Sequence, residues 1–235
     1  MPSVEGGGVE KNFFLISNFL SNNLKDVSII TSNKSIKNKL DKKINLIGPN
    51  STIWNTRSRY PKYLISLIYL FLFLLSNKNT LIFSFQANAY ASLVAKFFGK
   101  KIITRSNSSS EGWSKNKIKK ILYKFFLKLP NQVIVNSYQF KRELDNKFNI
   151  ESYVIYNPLN KNEIIKKSKE KIKLNFFNGK STKIITIGRL VNQKDHLTML
   201  KAINLIKESN IKLLIIGRGE KKSELIKYIK ENKLS

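Results

Sequence analysis

Residues 184–194 read IITIGRLVNQK, a run of mostly β-branched residues followed by glycine, arginine and, five residues later, lysine. The β-branched run predicts a buried strand that ends at Gly188. Arg189 and Lys194 then lie on the loop that leads into a helical pattern. Ligands of parallel α/β sheets bind beyond the carboxyl ends of the strands, where two cations can hold a diphosphate. In a chain this basic, two ordinary surface cations are the stronger interpretation when the loop is taken alone.

Strand and helix patterns alternate on both sides of that stretch. This alternation predicts an α/β fold with mainly parallel sheets. The predicted strands are Val27–Thr31, Thr80–Phe85, Lys101–Arg105, Val133–Asn136, Tyr153–Tyr156, Lys183–Ile187 and Lys212–Ile216. The predicted helices are Val9–Leu20, Tyr60–Leu75, Ala87–Phe98, Asn116–Leu129, Ser137–Phe148, Asp195–Ser209 and Lys221–Glu231.

The pattern is interrupted once, after Asn157-Pro158, a pair that favours an extended turn. The charged stretch Lys161–Lys173 follows, with little apolar face, and the strand and helix pattern then restarts. We therefore predict a first domain over residues 1–158, a linker over 159–174 and an incomplete second domain over 175–235.

Two further segments place glycines where a strand meets a helix. EGGGVEK, Glu5–Lys11, precedes a helix, and its backbone can approach an anion at the helix N-terminus through Gly7 and Gly8. LLIIGRGE, Leu213–Glu220, places Gly217 and Gly219 after a buried strand. A plain turn is the competing interpretation of each segment, and it is the stronger one for the first.

The composition narrows the function classes. The net charge is +28, from 43 Lys and Arg against 15 Asp and Glu, which predicts attraction to polyanions unless the lysines only reflect background composition. The chain has no cysteine and a single histidine, His196, so it cannot build a thiolate or multi-histidine metal site by itself. We expect His196 on a helix surface. No zinc-finger, RRM or KH motif accompanies the charge, so nucleic-acid binding rests on charge alone.

One apolar run, YLISLIYLFLFLL at Tyr63–Leu75, is shorter than the roughly 20 residues that a membrane-spanning helix needs. We predict a buried helix there. The alternative is a helix lying in the plane of a membrane, with Arg57, Arg59 and Lys62 beside anionic headgroups.

Four segments together resemble the GT-B glycosyltransferases of family 4. IGRLVNQKDHLTMLKAI is the most specific and resembles their donor-diphosphate loop with the helix after it. PSVEGGGVEKN resembles their first glycine loop, VIYNPLN their entry into the second domain, and LLIIGRGEKKSEL the next strand and turn.

The resemblance implies two Rossmann-like domains and a retaining transfer from a nucleoside-diphosphate sugar to a glycan or polyprenyl-linked acceptor in cell-envelope polysaccharide synthesis. Arg189 and Lys194 match the residues that neutralise the donor diphosphate, and Gly7 and Gly8 match the loop against the donor phosphates. Family members need no metal. The implied location is cytoplasmic, with a peripheral position on the inner face of the plasma membrane as an option.

Two departures from the family accompany the resemblance. No segment matches the glutamate pair, eight residues apart, of the family's second domain, and no strand precedes the glycine loop, so we expect a fragment with unknown catalytic residues. Many members have a histidine where this chain has Arg105, Ser106 and Asn107, which could bind a hydroxyl of the acceptor or donor or simply form a loop. An inactive fragment and a basic nucleic-acid-binding protein are the alternative functions.

Overall fold

The computed structural model describes residues 1–4, 7–54, 58–107, 116–206 and 210–234. The chain divides into two compact units, Met1–Ile164 and Ile165–Ser235, which are described separately below. The division falls inside residues 159–174, the stretch predicted as a linker.

The first unit contains two parallel sheets. β1 (Ser28–Ile30) pairs with β2 (Asn45–Ile47). The second sheet has the order β3-β4-β5-β6, so each strand lies beside the next one in sequence. Its strands are β3 (Leu81–Ser84), β4 (Lys101–Arg105), β5 (Gln132–Val135) and β6 (Ser152–Val154). All carboxyl ends of this sheet therefore lie along one edge.

Helices precede or connect these parallel strands, and parallel pairing needs such crossover connections. They are α1 (Gly8–Asn23), α2 (Arg59–Ser76), α3 (Asn88–Phe97), α4 (Lys117–Lys128) and α5 (Tyr138–Phe148). Side chains begin two of them: Asn116 accepts from Ile118 N at 2.9 Å, and Ser137 accepts from Phe140 N at 3.1 Å. Gly99 ends α3 in the left-handed conformation, with φ +62°.

The second unit contains the parallel pair β7 (Thr182–Ile187) and β8 (Ile211–Ile216). α7 (His196–Leu205) follows β7, and α8 (Lys222–Glu231) follows β8. Their apolar faces meet around the buried side chains of Leu190, Leu200 and Leu225. α6 (Lys161–Ser168) crosses the boundary between the units. The predicted α/β fold with parallel sheets is confirmed.

The sequence did not predict β2, α6 within the stretch predicted as linker, or the short 3₁₀ helices, of which Lys34–Lys39 is the longest. α6 forms although no residue in it is buried, because Asn160 and Glu163 cap its start reciprocally. The Asn160 Oδ1 atom accepts from Glu163 N at 3.1 Å, and its Nδ2 donates to Glu163 Oε2 at 3.3 Å.

The prediction that residues 63–75 form a buried helix is wrong about the burial. α2 buries one face, on which Leu70 and Leu74 lie, and exposes the other, where Leu64 is 61% exposed. By length and composition alone, α2 is the one helix in the described part of the chain that is long and apolar enough to cross a membrane.

Candidate functional site

The loop after β7 carries the cations that the sequence analysis selected. Leu190 is buried in the core of the second unit and anchors this loop, whereas Arg189 and Lys194 on either side are exposed. A 3₁₀ turn, Asn192–Lys194, closes the loop, and Lys194 N donates to Val191 O at 3.0 Å. The loop therefore presents two charged side chains from a backbone that is fixed on both sides.

Backbone hydrogen bonds join this loop to the one after β8. Gly188 N donates to Ile216 O at 3.0 Å, Leu190 N to Arg218 O at 2.9 Å, and Lys221 N to Leu190 O at 3.0 Å. The pairing of β7 with β8 thus continues past the ends of the strands.

Gly217 and Gly219 make this close packing possible. A Cβ atom on Gly217 would overlap the carbonyl oxygen of Gly188, and one on Gly219 would overlap that of Leu190. Close backbone approach is thus required here, and the group approached is the neighbouring loop. These contacts give each glycine a structural reason that is independent of any ligand.

The two predicted cations are unpaired. Within the described ranges, neither the Arg189 guanidinium nor the Lys194 ammonium makes a hydrogen bond or an ion pair. Lys221, in contrast, pairs with Glu224 at 2.7 Å, and this hydrogen bond raises the pKa of Lys221. Asp195 accepts from Thr198 N at 3.3 Å and caps α7. Among the described residues, neither cation of the loop is therefore held in an ion pair.

Arg218 is a third exposed cation at this edge, and it was not predicted from the sequence. Its backbone carbonyl is tied to the Arg189 loop through Leu190 N. The sequence did contain a sign of this position. Arg218 stands between Gly217 and Gly219, the two glycines that follow the predicted strand, so its side chain lies at the same sheet edge.

The expectation that His196 lies on a helix surface is wrong. Its side chain is 5% exposed and its Nδ1 atom is buried without a hydrogen-bond partner. The ring packs beside Gly188, and the Lys194 side chain lies against the same glycine. His196 therefore supports the strand end from which the cationic loop departs.

The glycine loop of the first unit begins α1. Gly7 is the N-cap in an extended conformation, and Lys11 N donates to its carbonyl at 3.0 Å. A Cβ atom on Gly7 would press on the Glu10 side chain, whereas one on Gly8 would meet nothing within 4 Å. Gly6 lies outside the described residues. The phosphate role of Gly7 and Gly8 stays a prediction.

Arg105, Ser106 and Asn107 lie where β4 ends. Arg105 is 1% exposed, and its Nη2 atom donates to Ile155 O and Asn157 Oδ1, both at 2.9 Å. Burial lowers the pKa of Arg105. Its guanidinium thus ties the end of β4 to the segment after β6, and a role in binding a substrate hydroxyl stays a prediction for it.

The two residues after Arg105 are also engaged locally. The Asn107 side chain donates to Arg105 O at 3.5 Å. Burial raises the pKa of Tyr123, and a side-chain hydrogen bond with Ser106 opposes that rise. Both residues are half-buried, so contact with a substrate stays a prediction for them as well.

In the described part of the chain, no three His, Asp or Glu side chains are grouped closely enough to hold a metal ion. The polar features of the β7–β8 edge are instead the three exposed cations and the backbone lock between their loops.

The β7–β8 edge lies in a segment that is similar to known proteins. Residues 167–235 match the family model "Glycosyl transferases group 1". Over its full length the fold is similar to that of the Anabaena protein Alr3699/HepE, solved with UDP and glucose. The TM-score is 0.69 at 12% identity, over 99% of this chain and 65% of that one.

Two curated relatives are similar in sequence. The N-acetylgalactosamine-N,N'-diacetylbacillosaminyl-diphospho-undecaprenol 4-alpha-N-acetylgalactosaminyltransferase of Campylobacter jejuni is 30% identical over 60% of this chain and 40% of its own length. The amylovoran biosynthesis glycosyltransferase AmsD of Erwinia amylovora is 27% identical over 96% of this chain and 62% of its own length. The chain thus spans about two fifths and three fifths of these relatives.

By fold and, in its second unit, by sequence, the chain is similar to the GT-B glycosyltransferases. The match to the group 1 family model covers nearly all of the second unit, including the loops that carry Arg189, Lys194 and Arg218. Assignment to family 4 in particular stays a prediction.

Proposed function

We propose that the chain belongs to a glycosyltransferase that moves a sugar from a nucleoside-diphosphate sugar to a glycan or lipid-linked acceptor in cell-envelope polysaccharide synthesis. The observation that carries the proposal is the pair of unpaired, exposed cations, Arg189 and Lys194, on a fixed loop inside the segment that matches the family model.

The chemistry of such a transfer explains why cations are needed there. As the glycosidic bond breaks, negative charge accumulates on the leaving diphosphate. A guanidinium and an ammonium carried on a fixed backbone can stabilise that charge. We propose that these side chains, and not a metal ion, neutralise the diphosphate, and that the transfer retains the anomeric configuration.

UDP is the first probe because the Anabaena structure was solved with UDP. The acceptor class follows the Campylobacter relative, whose name specifies a diphospho-undecaprenol substrate. An acceptor with a polyprenyl chain is embedded in a bilayer, so we propose that the protein works at the anionic inner face of the plasma membrane.

The test is calorimetric titration of the full chain with UDP, GDP, ADP and CDP. The double variant Arg189→Ala/Lys194→Ala should bind the preferred nucleotide about a hundredfold more weakly, since each charge-assisted contact contributes about 1.5 kcal/mol. The matched control is Lys201→Ala/Lys230→Ala, which removes the same charge from exposed positions of α7 and α8.

Equal losses in the two double variants would reduce the effect to net charge and would remove the assignment of Arg189 and Lys194. Failure of all four nucleotides to bind the unmodified chain would overturn the donor site itself.

A further inference from the structure

α2 has an apolar face that no part of the described structure covers. Tyr60, Leu64 and Ile68 follow one another at intervals of four residues, and Leu72 and Leu75 continue the row. Their exposed fractions run from 45% to 78%. At 3.6 residues per turn, this row lies opposite the buried row that contains Leu70 and Leu74.

α3 and α4 repeat this arrangement. On α3, Tyr90, Leu93 and Phe97 lie opposite the buried Ala91 and Ala95, and Phe97 is 76% exposed. On α4, the spacing of exposed apolar residues is that of a single helical face, and the buried Leu127 lies on the other side. The exposed residues of α4 are Ile118, Ile121, Leu122 and Phe125.

The three helices that carry the exposed rows are neighbours. α3 contacts both α2 and α4. Phe71 of α2 stacks on Phe97 of α3, with ring centroids 6.0 Å apart, and meets Phe98 edge-on at 4.9 Å. We call the exposed apolar residues of α2, α3 and α4 the apolar ridge. Contiguous apolar surface of this kind marks a place of contact with another molecule or a membrane.

The charge around the apolar ridge has one sign. None of the three helices contains an Asp or Glu. α4 reads KIKKILYKFFLK, so lysines stand on both sides of its exposed row. Lys117, Lys120 and Lys124 make no ion pair with any carboxylate of the described ranges. A second copy of the chain would bring like charges together, whereas anionic headgroups around a hydrocarbon layer complement both the ridge and its lysines.

We infer that the apolar ridge is the surface by which the first unit lies on an anionic lipid bilayer, with α2, α3 and α4 in the plane of the interface. The ridge side chains enter the boundary between headgroups and acyl chains, and the lysines of α4 contact the phosphates. This inference rests on the membrane-proximal acceptor of the proposed function and assigns the face that meets the membrane.

The first experiment is flotation of the full chain with vesicles of phosphatidylcholine, with and without added anionic phosphatidylglycerol. The chain should bind the anionic vesicles, and added salt should weaken the binding. Lys117→Gln/Lys120→Gln/Lys124→Gln should reduce partitioning about a hundredfold, since each lysine near the surface contributes about fivefold. The control Lys201→Gln/Lys230→Gln/Lys233→Gln removes equal charge from the second unit and should bind nearly as the unmodified chain does.

The second experiment uses the absence of native cysteine. Single substitutions Leu64→Cys, Leu93→Cys and Ile121→Cys place an environment-sensitive fluorophore on each ridge helix, and Ser223→Cys places it on exposed α8 as a control. Anionic vesicles should shift the emission of all three ridge probes to the blue and leave the α8 probe unchanged. Ile118→Gln/Ile121→Gln/Phe125→Gln should lower partitioning about tenfold for each residue removed.

Four outcomes would overturn the inference. The first is that the chain does not bind anionic vesicles, and the second is that the two lysine variants lose vesicle binding equally. The third is that the fluorophores on α3 and α8 respond alike to vesicles. The fourth is that sedimentation velocity shows a dimer formed through the apolar ridge. UDP titration of the same variants separates the two proposals. A chain that binds UDP but no vesicles loses only the membrane face, and a chain that binds vesicles but no nucleotide loses only the donor site.

Discussion

The chain contains KIIT twice, and each copy is followed by an arginine, one buried and the other exposed. In the first unit, KIITR ends β4 with Arg105, which is 1% exposed and bonded to Ile155 and Asn157. In the second unit, KIITIGR continues through Gly188 to Arg189, which is exposed and makes no bond within the described ranges.

The difference comes from where each arginine stands relative to the end of its strand. Arg105 is the last residue of a strand inside a four-stranded sheet, so its side chain is enclosed by the neighbouring strand ends. Arg189 comes two residues after β7, beyond a glycine whose loop is locked to the next loop. The same residue type therefore serves the fold in one unit and is available to a ligand in the other.

The largest effect is expected from a substitution that disrupts the packing of the loop that exposes Arg189. Gly217→Ala should lower the free energy of unfolding of the second unit by about 3 kcal/mol, because the new Cβ would overlap the backbone carbonyl of Gly188, which cannot turn away as a flexible side chain could. Urea unfolding followed by circular dichroism measures it. Gly8→Ala, where a Cβ meets nothing within 4 Å, is the control and should be nearly neutral. Equal effects of the two substitutions would contradict the lock.

The next prediction compares the two arginines, first in protein stability and then in nucleotide binding. Arg105→Ala should destabilise the first unit by about 3 kcal/mol, because it leaves a cavity and removes two hydrogen bonds, whereas Arg189→Ala should stay within about 0.5 kcal/mol. Thermal unfolding of both variants measures the stability. Nucleotide titration of the same two variants should show the opposite order, with the loss in Arg189→Ala. A stable Arg105→Ala variant that binds UDP weakly would place Arg105 in the site after all.

A smaller effect tests whether Arg189 acts through its shape or only through its charge. Arg189→Lys keeps the charge but loses the planar fork, so UDP should bind about fivefold more weakly than to the unmodified chain and more tightly than to Arg189→Ala. Lys194→Arg is the counterpart and should change the affinity little. If Arg189→Lys binds as well as the unmodified chain, the fork has no part in recognition.

The smallest effect concerns the residues that begin one helix in each unit in a left-handed conformation. Ala87, with φ 55°, precedes α3 without a capping side chain, whereas Asp195, with φ 45°, caps α7. Ala87→Gly should raise the free energy of unfolding by about 1 kcal/mol, because glycine adopts this conformation without strain. Asp195→Ala should lower it by about 1 kcal/mol through the lost cap. Differential scanning calorimetry measures both, and a destabilising Ala87→Gly would contradict the assignment.

The sequence was enough to predict the long elements, because apolar periodicity and capping residues such as Ser137 and Asn116 are local. β2 was missed because three residues between turns carry no measurable period. The burial of His196 and the exposure of α2 depend on what packs against them, which no local pattern contains. In the site, Arg189 and Lys194 were selected by their position after a predicted strand and then by resemblance, whereas the glycine contacts depend on how the two loops pack together.

The hydrogen bonds that join the loops after β7 and β8 have a consequence for the entropy of ligand binding. A change in the backbone of either loop would break its hydrogen bonds to the other loop. Folding has therefore already removed the conformational freedom that an isolated loop would lose when it binds an anion. Nucleotide binding at this edge should therefore show a small unfavourable entropy of ordering, and Gly219→Ala should make that entropy larger even where the contacts of Arg189 are kept.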